Sequence, residues 1–272
     1  MLEVRMKNIL LLVHDDPGEE ARLQAALDLT RALSGHLSCI DVVEMPVLVG
    51  AGYMMADAEL ALLEDARERE ARNRARLEAR LAREDVSWDM KDATGGFVET
   101  IREVAGLSDL IVLNTAFADR QPPDMRAVAA DLVMSAGQPI VAVPADAHGL
   151  DVGGDVLIAW NGSAPAQETL RAATPLLALA RSVTLAEFGE IAGPAAEDAA
   201  AYLSRHGIHA DIQRRPIGGD GVAATLLAAC HAMHPAYCLL GAYGHSRLRE
   251  GLFGGVTRAM LKDSPVPLLI AH

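Results

Sequence analysis

A chain of 272 residues, 51% of them hydrophobic, has the material for one large domain or two of ordinary size. Only 4% of its residues are aromatic, and the apolar content is mostly Ala, Leu, Val and Ile, which suits parallel strands between helices better than an all-β sandwich. The net charge of -13 would repel a polyanion and argues against nucleic acid as a partner, while three cysteines (Cys39, Cys230, Cys238) give no disulfide framework.

The first segment, MLEVRMKNILLLVHDD, carries an apolar run from Ile9 to Val13. That run is too short for a signal peptide or a membrane span, so it predicts a buried strand in a soluble, cytoplasmic protein without membrane contact. Residues 6–44 continue as a polar turn at His14-Asp15-Asp16, an Ala/Leu-rich helix and a second apolar strand. Residues 56–83, dense in Glu and Arg, form a long candidate helix. There Glu68 to Arg72 and Glu70 to Arg74 have the i,i+4 order that favours ion pairs. A solvated face is the plain reading of this helix, and a surface that docks a second chain is the sharper one.

Residues 109–144 run DLIVLNT, a polar stretch, the helix AVAADLVMSAG and PIVAVP; a short polar linker follows at Ala145–Gly153 (ADAHGLDVG). The pattern then repeats. Residues 153–190 match 6–44 element for element, with Asn161-Gly162-Ser163 opposite His14-Asp15-Asp16. Residues 237–271 match 109–144 as YCLLGAY, a polar stretch, VTRAMLKDS and VPLLIA. Strands alternating with helices predict parallel sheets covered on both faces. The fold class is therefore α/β, two tandem Rossmann-like domains at 1–147 and 153–272, each a five-stranded doubly wound parallel sheet with helices on both faces.

The most informative stretch is 239–258, LLGAYGHSRLREGLFGGVTR. A strand ends at Gly241, and glycines follow at 244, 251, 254 and 255 before a helix that begins near Val256. Glycine lets backbone approach a ligand closely. Gly254-Gly255-Val256-Thr257 would put free N–H groups at a helix N-terminus, where the partial positive charge suits a phosphate. Ligands of open parallel sheets settle beyond the carboxyl ends of strands at the switch point, here between the strand ending at Asn161 and that ending at Gly241.

Gly241-x2-Gly244-x9-Gly254 resembles the G-x2-G-x9-G-[ST] nucleotide motif of the universal stress proteins. The resemblance extends to VLIAWNGS and VPLLIAH and, as a tandem of two domains, to essentially the whole chain. It implies a stress-response protein that binds adenine nucleotide, ATP or AMP, with or without Mg, in its second domain. By that resemblance Ala159 and Asn161 stand at the adenine end, with Phe188 and Leu240 flanking base and ribose. Gly241 and Gly244 approach ribose and phosphates, and Gly254, Gly255, Val256 and Thr257 hold the phosphates. Arg247, Arg249 and Arg258 are further candidates to neutralise phosphate. Two positions depart from the family. Asn161 replaces an acidic residue, although an amide both donates and accepts. Gly255 stands where the motif has Ser or Thr, which removes a phosphate hydrogen bond worth about 1–3 kcal/mol, and Thr257 is the nearest hydroxyl to compensate. The resemblance also implies pairing of the two domains through their last strands, PIVAVP beside VPLLIAH, which covers two sheet edges. A homodimer through the charged helix 56–83 is the candidate assembly.

The first domain lacks the motif. Asn114 and Phe117 stand opposite Gly241 and Gly244, Ala127 and Val128 opposite Gly254 and Gly255, and Pro122-Pro123 remove donors from the loop. That predicts a pocket closed or turned to another ligand. Gly219-Asp220-Gly221 resembles the start of a dinucleotide fingerprint, but the next strand ends in no acid, so a helix start with Asp220 near its cap is the better reading. No P-loop occurs. Cys230, His231, His234 and Cys238 lack the paired spacing of a zinc site, and no structural metal is expected. No catalytic set emerges: Glu187, Glu190 and Glu250 are weak candidates for the carboxylate that phosphoryl transfer needs, which leaves slow ATP hydrolysis at most. Two other readings stay open, a weak ATPase and an interaction scaffold that holds no nucleotide.

Overall fold

The computed structural model describes residues 6–43, 54–115, 125–189, 191–242 and 255–272, with the side chains of 54–63, 65 and 66 excepted. The first half runs β1 (Asn8–Val13), α1 (Glu19–Leu33), β2 (His36–Val43), α2 (Met54–Leu81), β3 (Ser87–Thr94), α3 (Phe97–Val104), β4 (Leu110–Asn114), α4 (Met125–Ser135) and β5 (Ile140–Val143). The second runs β6 (Asp155–Trp160), α5 (Ala164–Leu177), β7 (Ser182–Phe188), α6 (Ala196–Arg205), β8 (Ala210–Arg215), α7 (Gly221–Met233), β9 (Tyr237–Gly241), α8 (Gly255–Asp263) and β10 (Leu268–Ala271).

The central strands are continuous Val/Ile/Leu runs, buried along β1, β4, β5 and β10, as a sheet covered on both faces requires. The strands join into one ten-stranded sheet in the order β3-β2-β1-β4-β5-β10-β9-β6-β7-β8. Each half is therefore a five-stranded parallel sheet whose strand order turns back at its first strand, the doubly wound arrangement. The halves meet through antiparallel β5 and β10, with Leu268 opposite Ala142 and Ile270 opposite Ile140. Helices α1, α2, α5 and α6 share the apolar core on one face of the sheet, and α3, α4, α7 and α8 share that on the other.

The segment between the halves is packed down. Leu150 and Val152 are buried, the Leu150 amide donates to Asp28 Oδ2 of α1 (3.0 Å), and a Cβ at Gly149 would come within 2.5 Å of the same oxygen. Helix α2 is not simply a solvated face either. Leu77 and Leu81 enter the core, and Asn73, itself buried, donates to Glu19 Oε1 at 2.6 Å. Arg72 pairs with Glu68 (3.7 Å), but Glu70 makes no ion pair with Arg74. It points at the sheet instead, which leaves Arg74 to Glu78 and Asp92. Spacing gave the right face to one pair and the wrong face to the other.

Candidate functional site

The helices diverge beyond the carboxyl ends of β6 and β9. α5, which follows β6, packs on the first face, and α8, which follows β9, packs on the second. Neighbouring parallel strands whose following helices go to opposite faces leave a crevice between them. Because α8 runs antiparallel to the strands it connects, its N-terminus lies at that carboxyl end, where its unpaired N–H groups carry partial positive charge.

Around the crevice the chain is tightly tied. Asn161 follows β6, and its Oδ1 accepts from the Ser163 amide (3.1 Å), while Ser163 caps α5 by accepting from the Ala166 amide (3.4 Å). The Asn161 carbonyl accepts from the Ala192 amide (2.7 Å), and the Trp160 indole donates to the Pro194 carbonyl (3.0 Å), folding residues 191–195 against the end of β6. At the end of β9, a Cβ on Gly241 would overlap the backbone of Pro165 and Ala166. The missing side chain there seats the first turn of α5 on the strand. Thr169 locks the arrangement, donating from Oγ1 to the Pro165 carbonyl (2.9 Å) and accepting from the Ala271 amide (3.1 Å).

The residues singled out in the sequence divide into three groups. Ala159 stands beside both Leu240 and Ala186, and Ala159, Leu240, Phe188 and Val256 share the second face, with Leu240 and Phe188 buried and the other two partly so. Asn161, Gly241, Gly255, Thr257 and Arg258 bound the crevice ends: Gly255 and Arg258 are exposed, Thr257 is buried, and no described residue lies within 4 Å of a Cβ built on Gly255. Gly244, Gly254, Arg247 and Arg249 lie outside the described residues, as do Glu190 and Glu250. Glu187 is committed elsewhere, accepting from the Ala196 amide at the head of α6 (2.9 Å) and pairing with Arg214 Nε (2.8 Å). Asp220 precedes the first residue of α7 without a side-chain cap bond. Among the described residues no three His, Cys, Asp or Glu side chains are grouped to hold a metal, and no helix is long and apolar enough to cross a membrane.

The matching place in the first half, between β1 and β4, is filled. Arg22, fully buried on α1, pairs with Asp16 (2.9 Å), donates to Asn114 Oδ1 and reaches the His14 carbonyl (2.9 Å). Asn114, at the end of β4, donates from Nδ2 to the carbonyls of Gly18 and Val143, both at 3.2 Å. A Cβ on Gly18 would lie 2.8 Å from that Nδ2. The glycine that makes room caps the helix here and ends the strand in the second half. The opposed copies place Asn114 against Gly241 and Arg22 against Thr169, so the second exchange was the available signal for a plug that the loop alone did not reveal. Phe117 and Pro122-Pro123 lie outside the described residues.

A universal stress protein from Archaeoglobus fulgidus DSM 4304 superimposes on the whole chain, with a TM-score of 0.73, 14% identity and coverage of 100% of this chain and 99% of that one. The chain has the universal stress protein fold. A functionally unknown protein from Pseudomonas aeruginosa PAO1 is similar over 99% of this chain and 93% of its own, with a TM-score of 0.58 and 14% identity. No family model matches the sequence, and no curated protein matches it. The universal stress protein likeness is thus carried by backbone arrangement: the sheet order, the opposed helices and the two halves in one chain.

Proposed function

We propose that this chain is a stress-response protein that binds adenine nucleotide, ATP or AMP, in the crevice of its second half, and acts as a sensor or regulator. The observation that carries the reading is the switch point between β6 and β9, onto which the N-terminal turn of α8 opens with no described residue within 4 Å of a Cβ on Gly255. A backbone N-terminus without a side chain in the way is suited to phosphate. The small surface of Ala159 beside Leu240 leaves room for a flat base on the same side of the sheet. Asn161 would read the base edge and Arg258 would face the phosphates. Mg would accompany ATP through the phosphates themselves.

The regulatory reading, rather than an enzymatic one, rests on Glu187. The one carboxylate of the weighed set that the structure describes is held by Arg214 and the head of α6. Equilibrium dialysis of the purified chain against ATP and AMP, with phosphate release followed in parallel, tests the proposal. Binding of either nucleotide without turnover is the expected result. Binding of neither favours an interaction scaffold, and turnover that collapses on Gly254→Val favours a weak ATPase.

A further inference from the structure

Beneath α2, at the carboxyl ends of β1, β2 and β3, lies a group of ionisable side chains outside the nucleotide crevice. Asp41 of β2 is 4% exposed and Glu70 of α2 is 2% exposed. His14, just past β1, brings Nδ1 to 3.1 Å from Glu70 Oε1, and its ring meets Phe97 of α3 edge-on at 5.6 Å. Asp92 of β3 stands beside Asp41 in the sheet register, and Arg74 of α2 pairs with it. Arg69 reaches Glu70 only at 4.0 Å, and on the α1 side Glu19 is taken up by Asn73 and Arg76. Neither Asp41 Oδ1 nor either carboxylate oxygen of Glu70 accepts a hydrogen bond from any described residue.

Two buried carboxylates close enough to raise one another's proton affinity, with three bare oxygens between them, cannot both carry charge cheaply. His14 Nδ1 stands against Glu70, and Arg74 is engaged by Asp92 and Glu78. Asp41 Oδ1 is left without a partner among the described residues, and a proton is the simplest group that neutralises the carboxylate. Ionised, it would set a second negative charge against Glu70 and a third beside Asp92. The strain falls on α2, because the strands are fixed by their ladders while the helix is held at this level by side chains alone.

We propose that Asp41, Glu70 and His14 form a proton-operated latch that holds the middle of α2 against the sheet and releases residues 67–74 when Asp41 ionises. Release would uncover the carboxyl ends of β1 and β2, the side of an open α/β sheet where ligands are taken. The device belongs to the first half and does not depend on nucleotide in the second. Burial, followed by the charges of Glu70 and Asp92, pushes the Asp41 carboxyl up to about 7, which puts the release near neutrality.

Amide hydrogen exchange of the full chain, corrected for the intrinsic effect of pH, tests this with peptides spanning 67–74 and, for reference, α5. Opening of 67–74 should rise about tenfold between about pH 6 and about pH 8, since opening releases close to one proton at the lower end of that range and almost none at the upper end. The α5 peptides should stay level, and Asp41→Asn should make 67–74 insensitive to pH. A flat wild-type profile, an unchanged slope in Asp41→Asn, or parallel opening of α5 would each overturn the latch. Glu70→Gln gives a second reading should the Asn variant not fold: loss of the neighbouring charge should move the midpoint to lower pH, and an unmoved midpoint counts against the proposal.

Discussion

Asn114 and Gly241 end equivalent strands, and the helices beside them differ in turn, with Arg22 on α1 where α5 has Thr169. Arg22 spends its guanidinium on Asp16, Asn114 and the His14 carbonyl, so the first crevice is blocked by charge that is internally satisfied except at Nε. Removing one partner of such a buried pair strands the other. Asp16→Ala should therefore cost about 3–5 kcal/mol in urea unfolding, far more than an exposed ion-pair loss. Gly255 offers the converse experiment. Since no described residue lies within 4 Å of its missing Cβ, Gly255→Ser adds a hydroxyl without a clash among them. If phosphate sits at the head of α8, ATP binding should tighten about tenfold, the equivalent of one hydrogen bond of about 1.4 kcal/mol. An unchanged dialysis isotherm would remove the phosphate from that helix.

At the level of elements, α2 shows how a charged sequence becomes a docked helix. Its last turns are fastened by Leu77 and Leu81 and by the Asn73–Glu19 hydrogen bond, but its middle rests on Glu70 over Asp41. The pH consequence follows from the direction of the Asp41 shift. Its folded value of about 7 lies above the unfolded value of about 3.9, so the native chain holds a proton that the unfolded chain has lost. That contribution is complete below the unfolded value and disappears as pH rises through the folded one. The melting temperature should consequently fall between about pH 5 and about pH 8, and Asp41→Asn should flatten the fall. Calorimetry over that range reads both.

On the scale of the whole molecule, the antiparallel meeting of β5 and β10 turns two five-stranded sheets into one and leaves the edges to β3 and β8. It also directs the carboxyl ends of the two halves to opposite ends of the sheet, so the crevice plugged by Arg22 and the one between β6 and β9 do not face each other. Every residue of β5 and β10 is buried, and both apolar cores run across the junction. Residues 153–272 expressed alone would present β10 as a bare apolar edge. Size-exclusion chromatography should find that fragment dimeric or aggregated, and a stable monomer would mean that the junction contributes little to burial.

Composition and periodicity by themselves determined the α/β class, the order of strands and helices, and the doubling of the pattern. These depend on local information: apolar runs bounded by turn residues, and helices written in Ala and Leu. They also located the glycines of 241–255. What only the tertiary structure decided is what those residues face. Gly241 is one of a row of glycines in the sequence, and only the packing shows that a Cβ there would meet the backbone of Ala166. Glu70 looks like a partner for Arg74, yet it turns to His14. Arg22 carries no local sign that it will plug a crevice ninety-two residues away in sequence from Asn114. Pairings across the sheet are set by which strands become neighbours, and that choice is made by packing of the whole chain rather than by any window of it.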